Sequence, residues 1–354
     1  MYQILRSLIF RLDPERAHGI TIHALRFTGA FSPLGRIVHH LFSAHSQINL
    51  RDAGVAAAVE RDADLAVQAF GLTFPNPVGL AAGYDKDGLA WRGLACLGFG
   101  HIEIGTVTPK PQAGNPKPRI FRIPGEQAVI NRMGFPGRGA DFLARRLSPL
   151  PRPPSSVVLG INIGKNKDTP NEEAARDYIY LLEKFSPLAD YLAVNVSSPN
   201  TVGLRRLQAR ELLEDLLGQL AAARLRSPVP CPILVKLAPD LTDAELDDAL
   251  DAIIRTGMDG VIATNTTISR EYLRSPVGRE TGGLSGAPLR QRSVEMVRQI
   301  SQRTVGKLPI VGVGGIMSPQ DARAMLDAGA TLVQVYTGLI YAGPGLVGEI
   351  VGNL

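Results

Sequence analysis

The chain has 354 residues, 45% of them hydrophobic and 20% charged, a globular composition that excludes wholesale disorder. Thirty-eight Lys and Arg against 33 Asp and Glu give a formal charge of +5, which suits an anionic surface or substrate, while a single Trp and no basic-aromatic platform argue against nucleic acid. Cys96 and Cys231 stand far apart, which excludes a CxxC redox motif and a zinc ribbon and fits a reducing compartment.

The first 45 residues hold five of the six histidines: His18, His23, His39, His40 and His45. Arg6 interrupts the apolar start and no small-residue cleavage site follows, which speaks against a signal peptide. No apolar run reaches the ~18 residues of a spanning helix. Three short helical patterns are expected. Ile4, Leu5, Leu8 and Ile9 share a face of the first. Asp13 before Pro14 marks the start of the second, with Ala17, Ile20, Ala24, Leu25 and Phe27 on its apolar side. Leu34, Ile37, Val38, Leu41 and Phe42 repeat at helical spacing in the third. Two readings stand: a helical cap on the main domain, or an interfacial segment with apolar faces in lipid and cations toward headgroups. Residues 46–76 read as a connector of weaker character.

From Pro77 onward one unit recurs: an apolar run, polar or Gly residues, then an amphipathic helix. Strands are expected at 77–83, 101–107, 157–163, 190–197, 232–238, 260–265, 308–313 and 332–337. Helices are expected at about 87–97, 138–147, 171–185, 207–225, 242–256, 288–303, 318–328 and 343–352. Eight such units over residues 77–354 predict an α/β fold, a (β/α)8 TIM barrel with an N-terminal α-helical extension. The alternative, a doubly wound open sheet, lacks a Gly-x-Gly-x-x-Gly after the first strand. Residues 108–137 hold a small hairpin around Pro124-Gly125, and 266–287 form a polar, Gly-rich loop; long connections of this kind serve as lids or binding loops.

Active sites of such barrels form where strands end. Those positions offer Lys86, Lys165 and Lys236, several amides and hydroxyls, and no convergent carboxylate pair for a glycosidase. His101, the only histidine of the main body, lies at a strand's start and reads as structural. Asp85 and Asp240 read as helix caps or lysine partners, so no metal site is expected. Gly314-Gly315, Thr337-Gly338 and Ser285-Gly286 stand where barrels bind phosphate. Lys236 lies inside an apolar run, so it requires an anion or a shifted pKa. It is either a structural ion pair or the charge partner of a cofactor ring that turns anionic on reduction.

Several stretches together resemble the dihydroorotate dehydrogenases, specifically the membrane-associated, quinone-dependent class. They are Gly79-Leu80-Ala81-Ala82-Gly83-Tyr84-Asp85-Lys86, Asn131-Arg132-Met133-Gly134-Phe135, Asn195 to Asn200, Val235 to Asp240, Thr264-Asn265-Thr266-Thr267, Thr281 to Gly286 and Val311 to Ile316. The resemblance implies one FMN per subunit and oxidation of (S)-dihydroorotate to orotate in de novo pyrimidine synthesis, with a membrane quinone as acceptor. It implies Ser198 as catalytic base, where related soluble classes carry Cys, and a proton relay through Thr201 and a water under Phe135. It implies flavin contacts at Ala82, Gly83, Lys86, Thr106, Asn162, Asn195, Lys236, Thr264, Gly286, Gly315, Tyr336 and Thr337. Substrate contacts are implied at Lys86, Asn131, Arg132, Met133, Gly134, Phe135, Asn195, Asn200, Asn265 and Thr266. His18, Arg122 and Tyr336 are implied at the quinone end; the bland reading makes His18 a helix-surface residue and Arg122 an ordinary hairpin cation. A monomer held peripherally on an anionic membrane surface, the cytoplasmic face of the cell membrane, is expected. The chain departs from the family at Pro136-Gly137, where two Asn are usual, and at Val202, where Pro is common. The rivals are another FMN barrel, acting on a dihydropyrimidine or an α-hydroxy acid, and a non-catalytic phosphate-binding adaptor. The hydroxy-acid oxidase would need a late catalytic His, and residues 102–354 contain none.

Overall fold

Parallel strands buried on both faces must be apolar throughout, and this pattern is what the main body supplies. In the computed structural model, which describes residues 2–30, 32–42, 65–148, 157–271 and 273–354, eight such runs close into a parallel barrel. A two-stranded hairpin, β1 (Val67–Ala69) and β2 (Leu72–Phe74), precedes it. The barrel strands are β3 (Val78–Leu80), β4 (His101–Val107), β7 (Val158–Ile163), β8 (Tyr191–Asn195), β9 (Ile233–Leu237), β10 (Gly260–Ala263), β12 (Ile310–Val313) and β13 (Leu332–Val335). Each lies within its expected bounds, and the open-sheet alternative falls because β13 pairs with β3 and closes the ring.

Helices α4 (Trp91–Ala95), α5 (Ala140–Leu147), α6 (Ala174–Phe185), α7 (Arg210–Arg226), α8 (Asp243–Arg255), α9 (Arg290–Arg303) and α10 (Pro319–Asp327) follow successive strands. The last expected helix, 343–352, is α12 (Leu346–Gly352); a further short helix that was not expected, α11 (Thr337–Ala342), precedes it and ends at Gly343 with φ 96°. The first is shorter than the expected 87–97. The Asp85 carboxylate takes the Leu89 and Ala90 N–H groups at 2.8 and 2.7 Å and holds residues 86–90 in a turn.

Two connections carry structure that their composition concealed. The 108–137 segment forms the expected hairpin, β5 (Ile120–Ile123) and β6 (Ala128–Asn131). The 266–287 segment is not all loop: β11 (Gly283–Gly286) pairs with β6, Gly283 opposite Asn131 and Gly286 opposite Ala128. The segment read as a weak connector supplies the β1–β2 hairpin. Its Phe74 packs into the barrel interior with Val158, Tyr191, Leu234 and Leu332, and so plugs the barrel from below. Residues 46–64 of that connector, and His45 before it, lie outside the described residues.

The extension forms α1 (Tyr2–Ile9), α2 (Pro14–Ala30) and α3 (Ser32–Phe42). Asp13 Oδ1 accepts the Glu15 and Arg16 N–H groups at 3.1 and 3.0 Å, the expected start of α2. Its packing face matches the expected one only at Ala17 and Leu25, which packs against the core. Ala17, Ile22 and Thr28 are buried, whereas Ile20 and Phe27 are 59% and 56% exposed. The cause is a close helix crossing: a Cβ on Gly93 of α4 would lie 1.9 Å from Leu25 O, so the crossing sets the rotation of α2. Ile4, Leu5, Leu8, Ile37 and Leu41 are also more than half exposed. Among the described residues no helix is long and apolar enough to cross a membrane.

Candidate active site

The strand ends and the N-terminal helices enclose one cavity of about 580 Å³. Gly286, Gly314, Gly315, Thr337 and Gly338 line one end of it. Gly315 has φ 74°, and a Cβ there would stand 2.5 Å from Arg290 Cα; one on Gly286, φ 100°, would stand 2.2 Å from Gln127 O. Backbone without side chains at this end fits a phosphate group, which glycine-rich turns bind through N–H donors. Thr337 Oγ1 donates to Ser285 Oγ at 2.8 Å and stiffens the cradle.

Next to the cradle the ends of β4, β7, β8 and β10 bring amides together. Thr106 Oγ1 donates to Asn162 Oδ1 at 2.5 Å, and Asn195 Nδ2 donates to Thr106 Oγ1 at 2.9 Å. Asn265 Nδ2 reaches Ser197 Oγ at 2.9 Å and Asn195 Oδ1 at 3.2 Å. Asn162 is wholly buried behind this row and is not among the lining residues; it holds Thr106 and Asn195 in place. Thr264 lines the cavity, but its hydroxyl faces Ser293 Oγ at 3.0 Å.

Two lysines line the wall. Lys86 Nζ donates to Gly83 O at 2.6 Å, and burial pushes its pKa down to about 8. Lys236 is 5% exposed and stands 3.7 Å from Glu103 Oε1. Glu103 escaped sequence reasoning, which considered strand ends only, whereas it projects from the middle of β4. Asp240 pairs with Arg205 at 2.7 Å rather than with a lysine.

Ser198 lines the cavity, and its Oγ accepts the Asn200 N–H at 3.3 Å. Asn200 Nδ2 in turn donates to Asn131 Oδ1 at 3.2 Å. Thr201 Oγ1 is buried and has no hydrogen-bond partner among the described residues. Met133, Gly134 and Phe135 line the wall. Arg132 does not: its guanidinium turns outward to Glu280 at 2.6 Å and over the Phe121 ring. The Pro136-Gly137 departure leaves this loop tied down. Gln112 Nε2 donates to Gly134 O and Phe135 O at 3.2 and 3.0 Å, and Gln112 and Gly137 exchange backbone hydrogen bonds at 3.0 Å. Proline's missing donor falls between these contacts and costs none of them.

At the far end α1 and α2 form the wall with Leu5, Ile9, Phe10, Ile20 and Ala24. The His18 ring meets Tyr84 edge-on at 5.0 Å, and Tyr84 meets Tyr336 at 5.7 Å. Burial, with Lys86 adding, lowers the His18 pKa to about 4, so its ring is neutral. Arg122 donates to the Ile9 and Leu12 carbonyls and lies 4.6 Å over the Phe10 ring. His18, Arg122 and Tyr336 therefore share one cavity end; Tyr84 and Phe10 join them without having been singled out from sequence. Glu15 on α2 grips Arg119 at 2.6 and 3.2 Å, and Tyr2 OH donates to Ile340 O at 2.7 Å, which seats the helices on the barrel. His101 lies at the barrel floor against Phe74, outside this cavity. Among the described residues no group of three or more His, Cys, Asp or Glu could hold a metal ion.

A phosphate cradle, a buried ammonium and a row of amides fit a phosphorylated planar cofactor, and Ser198 lines the same cavity. The family model for dihydroorotate dehydrogenase matches residues 64–354. A dihydroorotate dehydrogenase (quinone) of Acidithiobacillus ferrooxidans is 52% identical, over all of this chain and 94% of that protein. One from Anaeromyxobacter dehalogenans is 49% identical over all of this chain and 92% of its own length. The crystal structure of DHODH in complex with ferulenol from Eimeria tenella has TM-score 0.83 and 39% identity, covering 96% of this chain and 90% of that one.

Proposed function

The chain belongs to the dihydroorotate dehydrogenase family, and on that premise we propose that it oxidises (S)-dihydroorotate to orotate and passes the electrons to a quinone. The observation that carries this is the single cavity running from Ser198 and the amide row to His18 under the N-terminal helices. Family membership also sets aside the non-catalytic adaptor and the hydroxy-acid oxidase.

The cofactor we propose is FMN, its phosphate at Gly286, Gly315 and Thr337 and its ring near Lys236, Asn195 and Thr106. When bound, FMN supplies the hydride acceptor. The protein holds the substrate ring and removes the proton. Asn131, Asn195, Asn200 and Asn265 satisfy the ring's donors and acceptors, and Lys86 neutralises its carboxylate. Such a pocket rejects analogues lacking those groups, because its own polar groups would be left unpaired. Ser198 is the base. Serine is a weak base near neutrality and needs an outlet for the proton. Thr201, whose buried hydroxyl has no partner among the described residues, supports a relay through a water held under Phe135.

The quinone enters between α1 and α2 toward His18, Arg122 and Tyr336. We place the chain peripherally on an anionic membrane surface, the cytoplasmic face of the cell membrane; interfacial attachment is supported by the exposed Ile4, Leu5, Leu8, Ile20, Phe27, Ile37 and Leu41, with Arg11, Arg16, Arg26 and Arg36 exposed among them. Apolar faces in the lipid boundary and cations at headgroups are the pattern of interfacial helices.

The test is an anaerobic visible spectrum of the purified protein. Dihydroorotate should bleach the flavin band, and added quinone should restore it. A flavin band that dihydroorotate leaves unmoved would contradict the substrate assignment.

A further inference from the structure

Glu103 is fully buried in the barrel, yet four side chains point polar hydrogens at it. Asn162 Nδ2 donates to Oε1 at 2.8 Å. Tyr191 OH and Gln334 Nε2 donate to Oε2 at 3.2 and 3.1 Å. Lys236 Nζ stands 3.7 Å from Oε1. A site of donors only suits an ionised carboxylate, which accepts and does not donate. The Gln334 amide fits the same charge state. It turns its N–H toward Glu103 and leaves its own buried Oε1 without a partner among the described residues. The reverse orientation would set two oxygens against each other.

The two charges differ in what they face. Lys236 lines the cavity, whereas Glu103 is not among the lining residues and sits behind it. Their separation exceeds hydrogen-bond length, so Glu103 orients the ammonium by charge without consuming its donors. Register fixes the arrangement, since Lys236 lies opposite Asn195 on β8 and Ile262 on β10. The catalytic steps above make no use of Glu103.

We propose that Glu103 is a positioning residue that sets the reduction potential of the bound flavin, by holding Lys236 at the cavity wall and offsetting part of its charge. The proposal rests on the flavin reading of the site. Hydride uptake brings two electrons and one proton to the ring, which gains one negative charge. Lys236 in front favours that charge, and Glu103 behind opposes it more weakly because it is farther away. The balance keeps the flavin reducible by substrate and still oxidisable by quinone. A barrel with Lys236 alone would hold its electrons too well.

The experiment is a spectroelectrochemical titration of flavin holoenzyme with Glu103→Gln, using electrode mediators rather than dihydroorotate. The expected result is at least a tenfold shift of the oxidised–reduced equilibrium toward the reduced form, about 30 mV more positive for a two-electron couple. Reduction by substrate should then quicken and reoxidation by quinone slow. An unchanged or more negative potential, with flavin content intact, overturns the proposal. Removing one partner of a buried pair is destabilising. If Glu103→Gln fails to fold, Glu103→Asp decides. Its carboxylate keeps the charge but draws back from Lys236, so a smaller shift of the same sign is expected, and none overturns the proposal. Because no substrate enters the titration, a wrong substrate assignment leaves this result standing. A protein that takes up no flavin would instead overturn the functional reading itself, and this proposal with it.

Discussion

The two ends of the cavity are built on opposite principles. At the barrel mouth the polar side chains hold one another: Asn265 on Ser197, Asn195 on Thr106, Asn200 on Asn131. Under α1 and α2 the walls carry the apolar Leu5, Ile9, Phe10, Ile20, Ala24 and Leu25, interspersed with Tyr2, His18, Thr21, Thr28 and Arg122 rather than with a connected row of amides. A ring of mutual hydrogen bonds discriminates strongly, because a ligand that breaks these bonds without replacing them leaves buried groups unpaired. An apolar slot distinguishes molecules one methylene apart by only about 1–3 kcal/mol. The same cavity should therefore be strict about what it oxidises and permissive about which lipid-soluble acceptor it reduces.

The largest effect should come from the strict end. Ser198→Ala should slow flavin reduction by about 10²–10⁴-fold, the usual contribution of a positioned base. Orotate affinity should change only a few-fold, read by rapid mixing and by flavin spectral titration. Equal losses in both would mean that Ser198 binds rather than takes the proton. Ser198→Cys should keep part of the rate.

A middle-sized effect belongs to neither end. His101 sits at the barrel floor with no partner for either ring nitrogen among the described residues, and burial lowers its pKa to about 3. The unfolded chain binds the proton near 6.5, the folded chain only near 3. The contribution to stability is thus complete above pH 6.5 and is lost as pH falls from there toward 3. At pH 5 the loss is about 2 kcal/mol. His101→Phe should flatten the acid side of the stability profile in denaturant titrations between pH 5 and 7.5, while both half-reactions persist. An unchanged profile would show that the ring is protonated or hydrated in the folded protein.

The smallest effect is a control far from the cavity. Thr242 and Glu245 form a reciprocal cap at the start of α8. Thr242→Ala should cost about 1 kcal/mol of stability and leave both half-reactions untouched. A change in either rate would show that the ends are not insulated from the scaffold.

How much of this was legible from sequence depended on what kind of signal each part emits. The eight strands showed because burial on both faces forces continuous apolar runs, as in Ile233–Leu237 and Ile310–Val313. The site showed because Lys86, Ser198, Asn200 and Asn265 lie just past strand ends, in recognisable motifs. Strand β11 was hidden because Gly-Leu-Ser-Gly pairs by backbone alone and carries no alternation. The β1–β2 hairpin is only three residues a side, too short for a period to declare itself. The face of α2 was misjudged because apolar periodicity is the same whether a side chain meets protein or solvent. Ile20 and Phe27 turn outward on account of the backbone crossing near Gly93, a tertiary fact. Glu103 was overlooked because mid-strand positions normally serve packing, and its partners on β7, β8, β9 and β13 meet only once the barrel closes.

The central claim is that the two ends serve separate half-reactions. Ala24 lies on α2 and lines the cavity at the end proposed for the quinone. The direct test is anaerobic rapid mixing of Ala24→Trp, first with dihydroorotate and then, after reduction, with quinone. Flavin reduction should stay within about twofold of the unaltered protein, and reoxidation by quinone should slow at least tenfold, about 1.4 kcal/mol added to its barrier. Equal slowing of both steps, or of neither, would contradict the division of the cavity.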